Sequence, residues 1–164
     1  MIPQIKKILY ATDLTKNSAY AFYYAVDMAK KHNAEIIISH TIEPLRDSAF
    51  GTATEKAEHS QQEISTEVIR KRIRKFCEKV EEKSSLACLT LVTKTLVHVG
   101  YPPEEILKAA DEEKCDVIIL GSHGKGFLRQ TFLGSVSNSV LARTRKPVFI
   151  VPLPSEKTSI WDEM

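Results

Sequence analysis

Residues 116–141 read DVIILGSHGKGFLRQTFLGSVSNSVL, and they indicate the fold class more clearly than any other part of the chain. Its first five residues, DVIIL, are too apolar for a strand with one wet face, which indicates a strand covered on both sides. Glycines follow at positions 121, 124, 126 and 134, four of the six in the chain, and a helical pattern occupies residues 134–144. A buried strand, a glycine loop and a helix in this order are typical of a parallel α/β sheet.

The same alternation of strand and helix patterns runs along the rest of the chain. Four more strands are predicted from apolar runs, at residues 7–11, 35–40, 88–99 and 147–151. Three more helices are predicted from apolar residues at helical spacing, at residues 18–31, 55–83 and 104–114. The order β-α-β-α-β-α-β-α-β predicts an α/β fold, a five-stranded parallel sheet with helices on both faces. Ligands of such sheets bind beyond the carboxyl ends of the strands, where the winding reverses.

Length and composition predict one domain. A chain of 164 residues with 43% hydrophobic content can bury one core without disulfides or metals. We expect residues 1–154 to form a single domain and residues 155–164 a polar tail. Residues 45–54 follow Pro44 and contain glycine and polar residues without periodicity, which predicts a loosely ordered surface loop.

Charge and cysteine content disfavour several classes of partner. Lysine and arginine number 23 against 21 acidic residues, a net charge of +2, which favours neither nucleic acid nor an anionic membrane. Five basic residues within 70–75 are flanked by glutamates and predict a solvated helix face. Three cysteines without CxxC spacing indicate neither a disulfide framework nor zinc, and no apolar run approaches the roughly 20 residues of a membrane span. A cytoplasmic protein is predicted.

The glycine loop suits a phosphate ligand. Glycine lets a bulky ligand approach main-chain N–H groups, and a helix that begins at Gly134-Ser135 offers unpaired N–H donors and a positive dipole end. The hydroxyls of Ser135 and Ser137 are expected to add side-chain donors. The alternative is that these glycines only form a tight turn and cap a helix.

Two familiar nucleotide motifs are absent from the sequence. No glycine lies five positions before Gly124-Lys125, and neither Ser nor Thr follows that lysine, which excludes a Walker A loop. The turn after the first strand, ATDLT, contains no glycine, which excludes the standard dinucleotide fingerprint.

The spacing Gly121-x2-Gly124-x9-Gly134-Ser135 resembles the G-2x-G-9x-G-[S/T] motif of the ATP-binding branch of the universal stress proteins. The resemblance also includes KKILYATDLT near the start and RKPVFIVP near the end, so it extends over residues 6–152. It implies a Rossmann-like fold of the adenine nucleotide alpha hydrolase-like type. Ala11 stands where proline is common in the family.

The resemblance further implies a site for ATP, with Mg²⁺ bound through the phosphates, and a homodimer joined through residues 147–151. In that site the first loop contacts the adenosine, the backbone of Thr41 contacts the adenine, and the glycine loop and the following helix contact the ribose and phosphates. The residues implied are Ala11, Thr12, Asp13, Thr41, Leu120, Gly121, Gly124, Gly134, Ser135, Val136 and Ser137.

Three functions remain open from the sequence. The first is a binding module, in which ATP switches a dimer that acts on an unidentified protein partner in the stress response. The second is a slow ATP hydrolase or phosphoryl-transfer enzyme using the same site, for which the sequence offers no evident catalytic base with a metal-binding acid pair. The third is a dimer that binds AMP or no nucleotide.

Some residues near the site also have an alternative to a role in it. For Asp13 the alternative to ligand contact is stabilisation of a helix start. For Lys125, Arg129 and His123 the alternative is that they are ordinary residues of a surface loop.

Overall fold

The computed structural model describes residues 1–44, 55–84, 88–123 and 133–152. These residues contain one sheet in which every pairing is parallel, with the order β3-β2-β1-β4-β5. Its strands are β1 (Lys7–Ala11), β2 (Glu35–Ile42), β3 (Val92–Val99), β4 (Val117–Gly121) and β5 (Val148–Val151). The predicted five-stranded parallel sheet is confirmed.

Five helices connect or flank these strands within the described ranges. They are α1 (Lys16–His32), α2 (Glu55–Ser84), α3 (Cys88–Leu91), α4 (Pro102–Glu112) and α5 (Ser135–Arg143). None of the helices in the described parts of the chain combines the length and the hydropathy that a bilayer-spanning segment requires.

Each face of the sheet has its own apolar core, because side chains alternate along a strand. Ile8 and Tyr10 of β1 pack with residues of α1, α2 and α3, whereas Leu9 and Ala11 pack with residues of α4 and α5. Helices therefore cover both faces, as predicted. β1 is central and its alternate side chains serve both cores, so all four of these residues are buried.

The winding of the sheet reverses between β1 and β4. From β1 the chain moves outward to β2 and β3 on one side, then crosses over and continues through β4 to β5 on the other. The carboxyl ends of β1 and β4 are neighbours at this reversal, which is where open α/β sheets leave a crevice for a ligand.

Several predicted boundaries are wrong: α1 begins at Lys16 rather than Ser18, β2 ends at Ile42 rather than His40, and two further starts are misplaced. Residues 88–91 form the short helix α3 rather than the start of a strand, and β3 begins only at Val92. Helix α4 begins at Pro102 rather than Glu104. Proline has no backbone N–H, but the N–H groups in the first turn of a helix have no acceptor within the helix, so proline is tolerated there. The predicted loop at residues 45–54 and the tail at residues 155–164 lie outside the described residues, and the single domain over residues 1–154 stays a prediction.

Candidate functional site

A cavity of about 710 Å³ lies at the carboxyl ends of β1, β2 and β4. Its size falls within the range of small-molecule sites. The three predicted loops meet in its wall, which contains these residues of the predicted site: Ala11, Thr12, Asp13, Thr41, Leu120, Gly121, Gly134, Ser135, Val136 and Ser137. Gly124, Lys125 and Arg129 lie outside the described residues.

The turn between β1 and α1 is held by a dense set of hydrogen bonds centred on Thr12. The Thr12 amide donates to the Ser39 carbonyl at 2.9 Å, which ties the turn to β2. The Thr12 hydroxyl lies 2.8 Å from the Ser18 hydroxyl and accepts from the Leu14 amide at 3.0 Å. Leu14 has a φ of 66°, a left-handed conformation that is unusual for a leucine. These hydrogen bonds hold in one conformation the turn that forms one side of the cavity wall.

Two buried side chains support this turn from below. His40 Nδ1 lies 2.7 Å from the Thr12 carbonyl oxygen, and because a carbonyl only accepts, that ring nitrogen carries the hydrogen. The Tyr10 hydroxyl donates to the Ser18 carbonyl at 2.6 Å. Burial raises the pKa of Tyr10, so the phenol keeps the proton that this bond requires.

Asp13 stabilises the start of α1 and also lies in the cavity wall. Its Oδ1 accepts hydrogen bonds from the Thr15 amide at 3.0 Å and the Thr15 hydroxyl at 2.6 Å. Thr15 is the N-cap of α1, and its side chain accepts from the Ser18 amide at 3.3 Å. The carboxylate thus helps to start a helix and also lies in the cavity wall, where its contact with a ligand stays a prediction.

The opposite wall is formed by the start of α5. Gly134 precedes the helix with extended backbone (φ −66°, ψ 163°), and its amide donates to the Ser122 carbonyl at 2.7 Å. A glycine cap has no side chain to occupy the first-turn amides, which suits an anion. Ser137 Oγ donates to the Gly121 carbonyl at 2.7 Å, and this hydrogen bond links α5 to β4. The hydroxyl therefore does not donate to a phosphate in this arrangement, contrary to the expectation from the sequence.

Gly121 has space for a side chain as far as the protein itself is concerned. A Cβ built there would lie 3.4 Å from the Asn17 carbonyl oxygen and 3.5 Å from that of His123, which are ordinary contacts. Its backbone also lies outside the left-handed region that favours glycine. The end of β4 does not demand a glycine at this position, which weakens the alternative that Gly121 serves only local geometry.

Several residues of the wall were not predicted from the sequence. His123, which the sequence left open as an ordinary loop residue, also lies in the wall. Arg72 belongs to the basic cluster that was predicted to be solvated; it is exposed, and it also lines the cavity, where its Nη2 lies 3.5 Å from the Leu14 carbonyl oxygen. The two wall residues of α2, Ile69 and Arg72, are distant in sequence from the rest of the wall, so no local motif marks them. The unpredicted wall residues include Ser39, His40, Ile69, Arg72, Pro102 and Ile106.

The described part of the chain holds no group of three or more His, Cys, Asp or Glu side chains arranged to bind a metal ion. The carboxylates in the wall are those of Asp13 and Glu43. These side chains fit a magnesium ion that is carried by the phosphates of a nucleotide better than one that is held by the protein.

A second, smaller cleft of about 340 Å³ lies beside the amino ends of β4 and β5. Lys146 in its wall donates to the Cys115 carbonyl at 2.8 Å and lies 3.6 Å from Asp111, and Arg143 lies 3.8 Å from Glu104. These cations are already engaged by the protein, and the cleft is at the end of the sheet opposite the glycine motif.

Comparison with known proteins agrees with this arrangement. The family model described as "Universal stress protein family" matches residues 4–152. The chain is 34% identical over 152 residues to universal stress protein MJ0577 of Methanocaldococcus jannaschii, covering 89% of this chain and 94% of the relative. It is 35% identical over 147 residues to universal stress protein YxiE of Bacillus subtilis, covering 88% of this chain and 97% of the relative.

Solved structures show the same fold. The structure of MJ0577 superposes with a TM-score of 0.67 at 29% identity, covering 94% of this chain and all of that one, 100%. A universal stress protein solved in complex with cAMP superposes with a TM-score of 0.62 at 22% identity, covering 93% and 100%. The matched region contains every strand of the sheet and the whole described wall of the cavity, so the chain belongs to the universal stress protein family.

Proposed function

We propose that this protein binds ATP in the cavity at the carboxyl ends of β1, β2 and β4, and that it acts as a nucleotide-dependent dimeric switch in the stress response. One observation carries the proposal. Segments that are far apart in sequence, around Thr12, Thr41, Gly121 and Gly134, together form the wall of one cavity. The volume of this cavity suits a nucleotide. The wall ends at an uncapped helix start, where the phosphates would lie.

The sheet order supports one placement of the proposed nucleotide. β2 and β4 lie on opposite sides of β1, so a ligand with phosphates at α5 extends toward β2 with its base. The Thr41 backbone and Ala11 would then contact the adenosine, and the first-turn amides of α5 would hold the phosphates. Mg²⁺ bound to those phosphates would neutralise part of their charge. The family includes a protein solved with cAMP, which makes adenine nucleotides the first ligands to test.

The proposal is tested by calorimetry with ATP and by chromatography of the nucleotide released when the purified protein is denatured. Wild-type protein is expected to bind ATP. ADP that accumulates over time would instead favour the hydrolase alternative, and AMP as the released nucleotide would favour the AMP-binding one. Absence of both binding heat and released nucleotide would contradict the proposal.

The variant Gly121→Ala tests the site itself. A methyl group there fits the protein but projects from a wall residue, so we expect an unchanged melting temperature and an affinity for ATP lowered roughly tenfold or more, about 1.4 kcal/mol. Gly100→Ala is the matched control. Gly100 is not in the wall, and the atoms nearest to its added Cβ all belong to the flexible Glu105 side chain, which can move away. Equal ATP affinities in the two variants would contradict the proposed site.

The switch part of the proposal requires a different affinity of ATP for two states of the protein. We propose that the second copy pairs through β5 and that the downstream partner recognises the nucleotide-bound dimer. The cytoplasm is the proposed compartment, because three buried thiols without a disulfide suit a reducing environment. Affinity capture with and without ATP, using the Gly121→Ala variant as the control, is expected to recover a partner only from wild-type protein with ATP present.

A further inference from the structure

One flank of α2 carries a row of basic side chains at its boundary with α1. α2 packs on the sheet through Ile73, Cys77 and Val80, which are buried at helical spacing. Phe76 lies beside this apolar stripe and contacts Phe22 of α1, with the two ring centroids 5.2 Å apart. The flank of α2 that contains Phe76 therefore faces α1.

Arg72, Lys75 and Lys79 lie on this flank, because residues three and four positions apart are neighbours on a helix surface. Arg72 extends to the start of α1, where its Nη2 lies 3.5 Å from the Leu14 carbonyl oxygen. All three basic residues are exposed. Arg72 also lines the ligand cavity. The row therefore begins at the edge of the cavity and continues along α2 for about 10 Å, at about 1.5 Å per residue.

Two lysines of α1 border the same boundary from the other side. Lys16, Tyr23 and Lys30 lie on one flank of α1, since the steps between them are close to two turns of the helix. Tyr24 contacts Phe149 of β5, so the flank that contains Tyr24 faces that edge of the sheet. Tyr23 lies on the opposite flank and packs against the core that α1 shares with α2. Lys16 and Lys30 are both exposed there.

We call the surface formed by Lys16, Lys30, Arg72, Lys75 and Lys79 the basic seam. Within the described ranges, none of its four lysines forms an ion pair. Lys75 and Lys79 are four positions apart on one helix, so their like charges repel each other and lower the stability of the helix. Fold stability alone would favour a glutamate at one of these two positions.

The charges of α2 are sorted around the helix. At about 100° per residue, Arg72, Lys75 and Lys79 span about 60° of the circumference, and no acidic residue of the described part of α2 falls within this arc. Glu78 and Glu82 border the arc, and the rest of the exposed surface carries charges of both signs. The mixed part matches the solvated face predicted from the sequence, whereas the basic seam has cations only.

We propose that the basic seam binds an acidic segment of a partner protein. Lysine and arginine side chains pair with carboxylates at short range, and a single extended chain or helix is narrow enough to lie along the boundary of two helices. The inference goes beyond the proposed function by giving the chemistry of the downstream partner. It rests on that function only for the identification of the segment with that partner.

Nucleic acid fits the basic seam less well than an acidic peptide. Glu78 and Glu82 at its border would repel a polyanion that is wider than the seam, which disfavours a duplex. Tyr23 and Phe76 are half-buried, so the described part of the seam offers the bases of a single strand no exposed aromatic ring on which to stack.

The experiment measures the fluorescence anisotropy of a labelled peptide of ten glutamates, titrated with the full-length protein at low salt and without nucleotide. Low salt is chosen because salt screens exposed charges. Wild-type protein is expected to bind the peptide. The double variant Lys75→Glu with Lys79→Glu is expected to bind it about tenfold more weakly or worse, because two attractions become repulsions.

The matched control is the double variant Lys71→Glu with Arg74→Glu. These residues are exposed on the same helix but lie outside the basic seam, and both double variants change the net charge by the same amount. Glutamate is a good helix former, so circular dichroism is expected to show an unchanged fold in both. The control is expected to lose less than about twofold in affinity, because its changes act on the peptide only from a distance.

Three outcomes would overturn the inference. Equal losses in the two double variants would show that binding follows net charge rather than the basic seam. A wild type that does not bind the peptide would leave the seam without its proposed ligand class, while the ATP site, which calorimetry tests separately, would stand. A single-stranded DNA of ten thymidines that binds the wild type more tightly than the peptide would assign the seam to nucleic acid.

Discussion

The hydrogen bond between His40 and Thr12 links two parts of the cavity wall at the level of single residues. His40 is 6% exposed and belongs to β2, whereas Thr12 begins the turn that carries Asp13. The bond fixes the Thr12 carbonyl on one side while the Ser39 carbonyl fixes its amide on the other. The position of Asp13 in the wall thus depends on a side chain that the sequence did not mark.

We predict that His40→Leu lowers the free energy of unfolding by about 1 kcal/mol or more, because the Thr12 carbonyl loses its donor in a partly buried position. ATP affinity is expected to fall as well, since the turn is less constrained. Chemical denaturation and calorimetry measure the two effects. His40→Asn is the matched control because its amide nitrogen can donate from nearly the same place as Nδ1. Equal losses in both variants would contradict the assigned hydrogen bond.

Among the elements, β5 has an unpaired edge in the described sheet. It is the last strand in the order, and Phe149 on it is 39% exposed. The ring of Phe149 lies 6.0 Å from that of Tyr24, which is 40% exposed, so an apolar patch adjoins the edge. Such an edge is a template for pairing with another chain, and pairing two copies would cover both edge and patch.

We predict that Phe149→Lys shifts the protein from dimer to monomer, because a charge on each copy would be buried beside its own symmetry mate. Sedimentation velocity measures the change, and circular dichroism is expected to show an unchanged fold, since the side chain is already partly exposed. Leu89→Lys is the matched control: Leu89 is 43% exposed and lies on α3, which packs against β3 at the other end of the sheet. A monomeric wild type would contradict the predicted interface directly.

The short apolar strands were the most predictable elements, and the misplaced start of β3 has a physical cause. β1, β2, β4 and β5 are short apolar runs bounded by polar or turn-forming residues, which allows little choice of secondary structure. The segment that begins at Cys88 is different, because its apolar residues also fit one turn of helix. Cys88 is fully buried in the core beneath α1, and this tertiary contact decides a conformation that the local pattern leaves open.

At the scale of the whole molecule, the three cysteines make stability depend on pH. Burial raises the pKa of Cys77 to about 12 and those of Cys88 and Cys115 to about 11, against 9.0 for an exposed thiol. The unfolded chain therefore releases these protons near pH 9, while the native chain keeps them. The stability that is fully present below pH 9 is lost progressively as the pH rises from 9 to about 11 for Cys88 and Cys115, and to about 12 for Cys77.

We predict a free energy of unfolding that falls steadily over this interval, measured by chemical denaturation with a reductant present. The variant Cys115→Ala is expected to show a shallower fall, because one fewer thiol releases a proton on unfolding. Its lower stability at pH 8, from lost packing, does not affect the comparison of slopes. Identical slopes for the variant and the wild type would contradict a buried, protonated Cys115.

The predictability of the candidate site followed from the topology of the sheet. Loops after β1, β2 and β4 must meet at one rim, so Thr12, Thr41 and Gly121 were placed together without coordinates. Arg72 was not, because the approach of α2 to the β1–α1 turn depends on how a long charged helix packs. The Ser137 hydroxyl was expected to face a ligand, but which acceptor it reaches depends on how close α5 lies to β4.

The cavity wall begins at Ala11 and is completed only by Ser137, and the strand that closes the sheet, β5, comes later still. During synthesis the early segments leave the ribosome long before α5, the helix proposed to hold the phosphates. Under the proposed function, a nucleotide stabilises only a chain that has emerged as far as α5, and it gives no help to the half-made sheet. Strands β1 to β4 would then assemble through their own packing before any nucleotide binds.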